Sequence, residues 1–311
     1  MNEHRIKQAD IKAAVEEIYN KYKDMQPDGT VDPRLTDVDA GKFGIAVMLT
    51  DGTIIEAGDT ETASPLGSIA KVPLMTAMRI QRENKADKTQ DKRCALKDYH
   101  SSKPERMPVS VNGIRLMSAI EPANDADGKW NIVIDLVNAM IGTPLVLDDK
   151  LYESMTLTNR AADVENAMAA NEFYLFDDAP IAIDLYTRLT AMQATARQLA
   201  AMGATLAASG KNPATGDYVF DRAVSPKVVA SMAAKGPHKM SLHWLIKSGL
   251  PAKSSFGGSV MGVFPGVMSV VAYSPVVNDD GVSTKAAKAV HHIMKRLGIN
   301  VFGGENIVIE K

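Results

Sequence analysis

The sequence is poor in cysteine, in aromatic residues and in long apolar runs. Cys94 is the single cysteine among 311 residues, which excludes an internal disulfide. The six histidines are scattered and form no cluster with Cys94, so no zinc-type or other metal site is predicted. No run reaches the roughly 18 uninterrupted apolar residues that a membrane span requires. We therefore expect a protein without a metal and without a membrane-spanning segment.

The chain also lacks an excess of charge of either sign. It holds 35 Lys and Arg residues against 37 Asp and Glu residues, a net charge of -2. No global field therefore attracts nucleic acid or an anionic membrane. The first 23 residues carry charges throughout and lack the apolar core of a signal peptide. We expect a cytoplasmic protein that binds neither nucleic acid nor membranes.

Apolar periodicity predicts the helices and strands. Residues 42–59 hold two apolar runs joined by Asp51-Gly52, which predicts a β-hairpin. Three β-branched runs, 243–255, 259–267 and 268–277, are typical of consecutive antiparallel strands. Helices are predicted over residues 6–22, 130–141, 159–169, twice within 182–209, over 225–235 with Ser225 as its cap, and over 284–298.

Strands near both ends with helices between them predict an α+β fold. In this fold an antiparallel sheet is built from both chain ends, and a helical subdomain is inserted into it. We expect one domain over residues 1–311, with a sheet part at about 1–70 and 212–311 and a helical part at about 71–211. A cleft between the two parts is where a ligand is expected to bind.

Ser68 and Lys71 stand three positions apart in the stretch GSIAKVP, just before an apolar run. This spacing places both side chains on the same side of a helix. A lysine can take the proton of a serine only where burial and positive potential lower the pKa of its ammonium group. The pair predicts a nucleophile, Ser68, with a base, Lys71. The competing interpretation is a helix cap at Ser68 followed by an exposed Lys71.

A second stretch, GLPAKSSFGG, carries Lys253 and Ser254 followed by a glycine pair. Serine acyl-enzymes of the penicillin-recognising type combine S-x-x-K with a strand that carries K-[ST]-G. Such a strand supplies positive charge from its lysine and main-chain N–H groups that stabilise the oxyanion. The competing interpretation is a strand end followed by a flexible turn.

Longer strings resemble the serine-dependent glutaminase family. They are DLYTRLTAMQATARQLAAMGATLAASGKNPATGDYVF, GLPAKSSFGGSVMGVFPGVMSVVAYSPVVNDDGVSTKA and LGINVFGG, and the EAGD before GSIAK also fits. The similarity runs from about residue 10 to about residue 305. The resemblance implies a β-lactamase-like fold and hydrolysis of L-glutamine to L-glutamate and ammonia without a cofactor. It also implies a homodimer or homotetramer.

The resemblance assigns roles to five residues. Ser68 matches the nucleophile, and Lys71 matches its partner. Tyr186 falls on a tyrosine that lines the glutamine site, although a core aromatic is the alternative. Asn159 matches a substrate-binding asparagine, although a helix cap is an equally natural interpretation. Phe256 replaces a valine whose main-chain N–H joins that of the serine in the oxyanion hole.

The substrate-binding positions depart from the family pattern. Asn112 is the better match to another substrate-binding asparagine, with Ser110 as the alternative. Glu153 is the candidate partner for the α-amino group of glutamine, although direct alignment puts Met155 at that position. Lys253 completes the expected set of binding residues.

Two tyrosines that assist proton transfer in the family are also replaced. Val31 stands at the first position and His238 at the second. A histidine can shuttle protons near neutral pH, so His238 is a catalytic candidate, although an exposed loop histidine is the alternative. The glutamine before the nucleophile has become Gly67, and K-S-G has become Lys253-Ser254-Ser255.

Three hypotheses follow. The first is an amidohydrolase that acts on L-glutamine through a Ser68 acyl-enzyme. The second keeps this chemistry but changes the substrate to another small amide, because several recognition groups differ from the family pattern. The third is a catalytically reduced homologue that binds a small ligand or a protein partner.

Overall fold

The computed structural model describes residues 3–84, 111–158, 164–166, 175–237 and 241–311. Their strands are β1 (Glu3–Lys7), β2 (Thr30–Val31), β3 (Gly44–Leu49), β4 (Ile54–Gly58), β5 (Ser64–Pro65), β6 (Val146–Leu147), β7 (Met192–Ala194), β8 (Ala252–Ser254), β9 (Ser259–Phe264), β10 (Met268–Tyr273), β11 (Val276–Val277) and β12 (Asn306–Glu310).

The helices account for much of the rest. They are α1 (Gln8–Tyr22), α2 (Lys71–Glu83), α3 (Val111–Ser118), α4 (Ala126–Ile141), α5 (Asp149–Thr158), α6 (Ala179–Ala191), α7 (Ala196–Ala207), α8 (Val224–Ala234), α9 (Ser241–Ser248) and α10 (Thr284–Leu297), with a 3₁₀ turn at Gly67–Ala70. No helix among the described residues combines the length and the apolar character needed to cross a membrane.

The main sheet has five antiparallel strands in the order β4-β3-β10-β9-β8. Side chains alternate across it, so β3 sends Ala46 and Met48 to one face and Ile45, Val47 and Leu49 to the other. The first face packs against α7 and the helices beyond it, and the second packs against α1 and α10. The sheet is thus the middle of three layers, and apolar residues fill both of its faces.

The mixed α+β architecture is confirmed, and so are several elements. The predicted hairpin is formed by β3 and β4, and Gly52 at its turn has φ +92°. The region 182–209 does contain two helices, α6 and α7. The last helix begins at its cap Ser283, whose hydroxyl accepts from the Ala286 N–H, and ends at Gly298 with φ +69°.

Three predicted boundaries are wrong. The first helix begins at Gln8, because Ile6 lies in β1 and pairs with Ile309 of β12, far away in the sequence. Ser225 does not cap α8, which begins one residue earlier after Ala223. The run 243–255 is not one strand, because its first half forms α9. The predicted helix 159–169 lies mostly outside the described residues.

The helix α9 has a clear physical cause. Trp244 and Ser248 are buried four residues apart, whereas Leu242 and Ile246 are exposed. This is helical spacing, and the Ser248 hydroxyl donates to the Trp244 carbonyl. Gly249, with φ +60°, then ends the helix and lets the chain turn into β8.

Candidate active site

Ser68 lies in the short 3₁₀ turn between β5 and α2. The cap position of this turn belongs to Leu66, and no side chain caps it. The interpretation of Ser68 as a helix cap is therefore wrong. Ser68 is half-buried, whereas Gly67, Ile69 and Ala70 around it are buried. The serine is thus the residue of this turn that a substrate can reach.

Lys71 is the first residue of α2, one turn after Ser68. Its side chain is buried with 6% of its surface exposed, so the interpretation of an exposed lysine is also wrong. The Lys71 main-chain N–H donates to the Ser68 carbonyl, which fixes the two residues relative to each other. A lysine one turn after a serine can activate that serine as a nucleophile.

The turn that follows β8 packs directly against the segment that precedes Ser68. The Ser255 hydroxyl donates to the Pro65 carbonyl at 2.6 Å and accepts from the Gly257 N–H at 3.0 Å. Gly67 has φ +49°, and a Cβ there would lie 2.8 Å from Cδ1 of Phe256. Phe256 therefore lies beside the residue before the nucleophile. We use the name nucleophile wall for residues 64–71 together with residues 252–258.

Two main-chain donors remain available in the nucleophile wall. Within the described residues, neither the Ser68 N–H nor the Phe256 N–H donates to a protein acceptor. Both residues are half-buried. Main-chain N–H groups that are largely buried almost always have a hydrogen-bond partner. Where no protein group accepts the bond, water or a ligand does. Both N–H groups are therefore available to a ligand or to water.

Lys253 points along the nucleophile wall toward the end of α8. Its ammonium group donates to the Lys235 carbonyl at 2.7 Å and to the Gly236 carbonyl at 3.4 Å. A cation at a helix C-terminus is favourable, because the last carbonyls of the helix lack main-chain partners. The side chain is buried, with 6% exposed. Lys253 thus brings a positive charge into the interior and ties α8 to β8.

Helices α3, α5 and α6 form a second side, which we name the helical wall. Tyr186 of α6 is buried, with 1% exposed, and α6 packs against the 3₁₀ turn that carries Ser68. A Cβ on Gly113 of α3 would lie 2.0 Å from the Tyr186 ring, so glycine is needed for this close contact. Asn112 is the neighbouring residue of α3 and is partly buried. The structure therefore brings Tyr186 against α3 at Gly113, the residue after Asn112.

A buried ion pair holds the helical wall together. Lys129 of α4 lies 2.7 Å from Asp177, and both side chains are fully buried. The Lys129 ammonium group also donates to carbonyls at the end of α3, those of Met117 and Ser118 at 3.2 Å and that of Ile120 at 2.5 Å. Asp177 lies just before α6. The pair thus joins the end of α3 to the start of α6.

The carboxylate expected for the α-amino group of glutamine is not inside the site. Glu153 is exposed on α5, whereas Met155 is buried, with 2% exposed. Met155 belongs to a small apolar cluster with Leu151, and Phe256 packs against this cluster. The side of the site formed by α5 is therefore apolar where the resemblance implies an acid.

Arg34 covers the outer face of Phe256. Its guanidinium carbon lies 4.3 Å from the centroid of the Phe256 ring. Asp32 holds this side chain through two hydrogen bonds, from Nε at 2.8 Å and from Nη2 at 2.7 Å. Burial favours the neutral acid at Asp32, but the hydrogen bonds and charge of Arg34 hold its pKa below its ordinary value. A cation thus lies over the Phe256 ring.

Three predicted positions lie outside the described residues. They are Asn159, His238 and the alternative Ser110. Sequence reasoning missed Ser255 and Arg34. The sequence does mark Ser255, because a serine there replaces the glycine of K-S-G. Nothing in the sequence marks Arg34, because its contact with Phe256 joins residues far apart in the chain.

The described residues thus include a half-buried serine, a buried lysine one turn after it and two main-chain N–H groups without a protein acceptor, which are the kinds of group that a serine acyl-enzyme uses. The family model described as Glutaminase matches residues 29–302. A glutaminase of Parabacteroides distasonis is 32% identical over 97% of each chain. One of Bacteroides thetaiotaomicron is 33% identical, also over 97% of each chain. A solved structure described as a probable glutaminase is 28% identical, with a TM-score of 0.84 over 96% of this chain and 100% of that one.

The chain belongs to the glutaminase family, and it is an enzyme of the glutaminase type. The resemblance predicted from the sequence is thereby confirmed.

Proposed function

We propose that the protein hydrolyses L-glutamine to L-glutamate and ammonia through an acyl-enzyme on Ser68. The Ser68 oxygen attacks the side-chain amide carbon, and Lys71 takes the hydroxyl proton. Lys71 then returns this proton to the departing nitrogen, so that ammonia leaves. Water attacks the ester next, and its cleavage releases L-glutamate and restores the serine. The observation that carries the proposal is the half-buried Ser68 hydroxyl one turn from the buried Lys71.

The tetrahedral intermediates carry a negative oxygen, which the Ser68 and Phe256 N–H groups would bind. These donors have no other protein acceptor among the described residues, and they belong to adjoining segments. Loss of one such donor typically costs about 3 to 4 kcal/mol of transition-state stabilisation. Because the main chain supplies both donors, replacing the family valine by Phe256 preserves this role.

The remaining predicted residues belong to the same proposal in less direct roles. Tyr186 and Asn112 would line the substrate on the strength of the family pattern, and the Tyr186 ring contacts Gly113, the residue after Asn112. Lys253 would add positive potential to the site, supported by its burial on β8. Asn159 would bind substrate and His238 would move protons, both on the strength of the family pattern. We also propose a single-domain, β-lactamase-like chain that acts in the cytoplasm as a homodimer or homotetramer.

Ammonia release from L-glutamine by the purified protein tests the function. We expect Ser68→Ala to reduce kcat at least about 1,000-fold, because a covalent nucleophile has no substitute. Ser225→Ala is the control, since Ser225 is likewise a serine near the start of a helix but is buried in α8. Equal turnover by wild type and Ser68→Ala would exclude the acyl-enzyme.

A second candidate substrate is another small amide that lacks a free α-amino group. Exposure of Glu153, together with burial of Met155 beside Phe256, favours it, because an apolar wall gains nothing from a substrate ammonium group. Comparing kcat/KM for L-glutamine and for N-acetyl-L-glutamine distinguishes the two. A higher value for the acetylated amide would support the second candidate. A value at least tenfold higher for L-glutamine would exclude it.

A further inference from the structure

We propose that Ser255 is a positioning residue of the oxyanion hole. Its side chain would hold the Phe256 N–H at the correct place relative to Ser68, without contacting the substrate. This inference rests on the proposed function, because it assumes that Ser68 is acylated. It concerns a residue that replaces the glycine of the K-S-G pattern, and it gives this serine a role that a glycine cannot perform.

The hydrogen bonds of Ser255 join the two segments that carry the donors. Its hydroxyl donates to the Pro65 carbonyl at 2.6 Å, three residues before Ser68. The same hydroxyl accepts from the Gly257 N–H at 3.0 Å, one residue after Phe256. One side-chain oxygen is therefore bonded to the main chain on both sides of the donor pair. The residue is completely buried, so water does not compete for these bonds.

The main-chain bonds of Ser255 fix the same turn from the sheet. Its N–H donates to the Ser259 carbonyl at 2.8 Å, and its carbonyl accepts from the Gly258 N–H at 3.0 Å. With the side chain included, Ser255 makes four hydrogen bonds. The Phe256 N–H lies in the middle of this set and is not used by it. The turn is thus held firmly while one donor stays available.

Close packing at Gly67 makes the arrangement specific. The Ser255 oxygen lies 2.5 Å from the place where a Cβ of residue 67 would stand. A side chain at position 67 would displace the Ser255 hydroxyl, the Phe256 ring or both. The glycine before the nucleophile therefore leaves the space that the Ser255 hydroxyl uses to reach Pro65. Catalytic geometry of this kind is sensitive, since a displacement of about 1 Å can cost about 100-fold in rate.

The test is a comparison of kcat and KM for ammonia release from L-glutamine. We expect Ser255→Ala to lower kcat about 10- to 100-fold with KM within about twofold of wild type, because the oxyanion forms only after binding. Ser269→Ala is the matched control. Ser269 is also fully buried, and its hydroxyl donates to the Gly262 carbonyl at 3.1 Å within the sheet. The Ser269→Ala variant should lose about as much stability as Ser255→Ala and keep the kcat of the wild type.

Several results would overturn the proposal. One is a fall in kcat no larger than that of Ser269→Ala, and another is a rise in KM at unchanged kcat. Should Ser255→Ala fail to fold, Ser255→Gly, which also removes the hydroxyl, takes its place in the same assay. Failure of both variants to fold would make Ser255 a structural residue only. Failure of the proposed function itself is separate, because it shows as turnover retained in Ser68→Ala.

Discussion

The two walls of the site are held by different kinds of interaction. In the nucleophile wall the central contact is neutral, a Ser255 hydroxyl bonded to the main chain at Pro65 and Gly257. In the helical wall it is charged, a fully buried pair of Lys129 and Asp177 at 2.7 Å. Each contact joins segments that are distant in the sequence. Each also lies behind residues that would meet the substrate.

This difference indicates whether a substitution should first affect turnover or stability. Removing a hydroxyl loses a hydrogen bond that contributes about 1 kcal/mol. Removing one member of a buried ion pair leaves an uncompensated charge, which costs about 3 to 5 kcal/mol. Substitutions in the nucleophile wall should therefore be seen first in turnover. Those at the anchor of the helical wall should be seen first in stability.

The largest expected effect is that of Lys129→Met on stability. We expect a loss of about 3 to 5 kcal/mol in the free energy of unfolding, because Asp177 would stay buried without its cation. Urea denaturation followed by circular dichroism measures it. Arg296→Met is the matched control, since Arg296 pairs with Glu17 at the surface with about half of each side chain exposed. That pair should contribute less than about 1 kcal/mol.

The double variant Lys129→Met with Asp177→Asn sharpens the comparison. If the unpaired charge is the cause, removing the carboxylate as well should recover a substantial part of the loss. No recovery would show that the Lys129 bonds to the carbonyls of α3 carry the stabilisation instead. A loss below about 1 kcal/mol in the single variant would contradict the difference between the walls.

Comparing the predicted elements with the structure shows which features the local sequence could predict. The hairpin and the closing helix depend on neighbours in the chain, and both were predicted correctly from the sequence. The predicted start of the first helix was wrong because β1 pairs with β12, more than 300 residues away. The prediction of a strand where α9 lies was wrong. β-branched and aromatic residues favour strands, whereas the burial of Trp244 and Ser248, four residues apart, favours a helix.

In the site, too, contacts between residues far apart in the sequence could not be predicted. Ser68, Lys71, Lys253 and Phe256 came from short motifs together with the family resemblance. The Lys129 and Asp177 pair could not be found in this way, because charged residues are usually exposed and nothing in the sequence marks these two as buried. The contact of Arg34 with Phe256 was equally hidden, since it depends on the packing of residues 30–35 beside the turn after β8.

The next largest effect is expected for Gly67→Ala in the nucleophile wall. The new Cβ would meet the Ser255 oxygen at 2.5 Å and the Phe256 ring at 2.8 Å, and φ +49° is unfavourable for alanine. We expect kcat to fall about 10- to 100-fold as the donors separate. Gly266→Ala is the matched control, because Gly266 has φ +76° but no atom within 4 Å of its Cβ position.

Gly266→Ala should lose about 1 to 2 kcal/mol of stability and keep its turnover. A kcat of Gly67→Ala equal to that of Gly266→Ala would show that the contact with Ser255 and Phe256 does not affect turnover. Adding Phe256→Val to Gly67→Ala should restore part of kcat, because the smaller side chain removes the contact with the ring. The remaining loss would then measure the contact with the Ser255 hydroxyl.

The smallest effect is a pH dependence at Asp32, next to the point where the two walls meet. Arg34 holds the pKa of Asp32 below its ordinary value of 3.8, so the folded state favours the charged carboxylate. This stabilisation is complete above about pH 4 and is lost as the pH falls through the folded pKa. Asp32→Asn should therefore be about 1 kcal/mol less stable than wild type at pH 6, and the difference should shrink toward pH 3.

Activity at the higher pH completes this test. Phe256 packs against the apolar cluster of Met155 and also lies under the Arg34 guanidinium, so it contacts both groups. Releasing Arg34 by Asp32→Asn loosens only the contact between the guanidinium and the ring, whereas the Ser255 bonds that fix the Phe256 main chain remain. We expect kcat at pH 6 to stay within about twofold of wild type. A tenfold fall would show that the side chain of Phe256, as well as Ser255, positions the oxyanion donor.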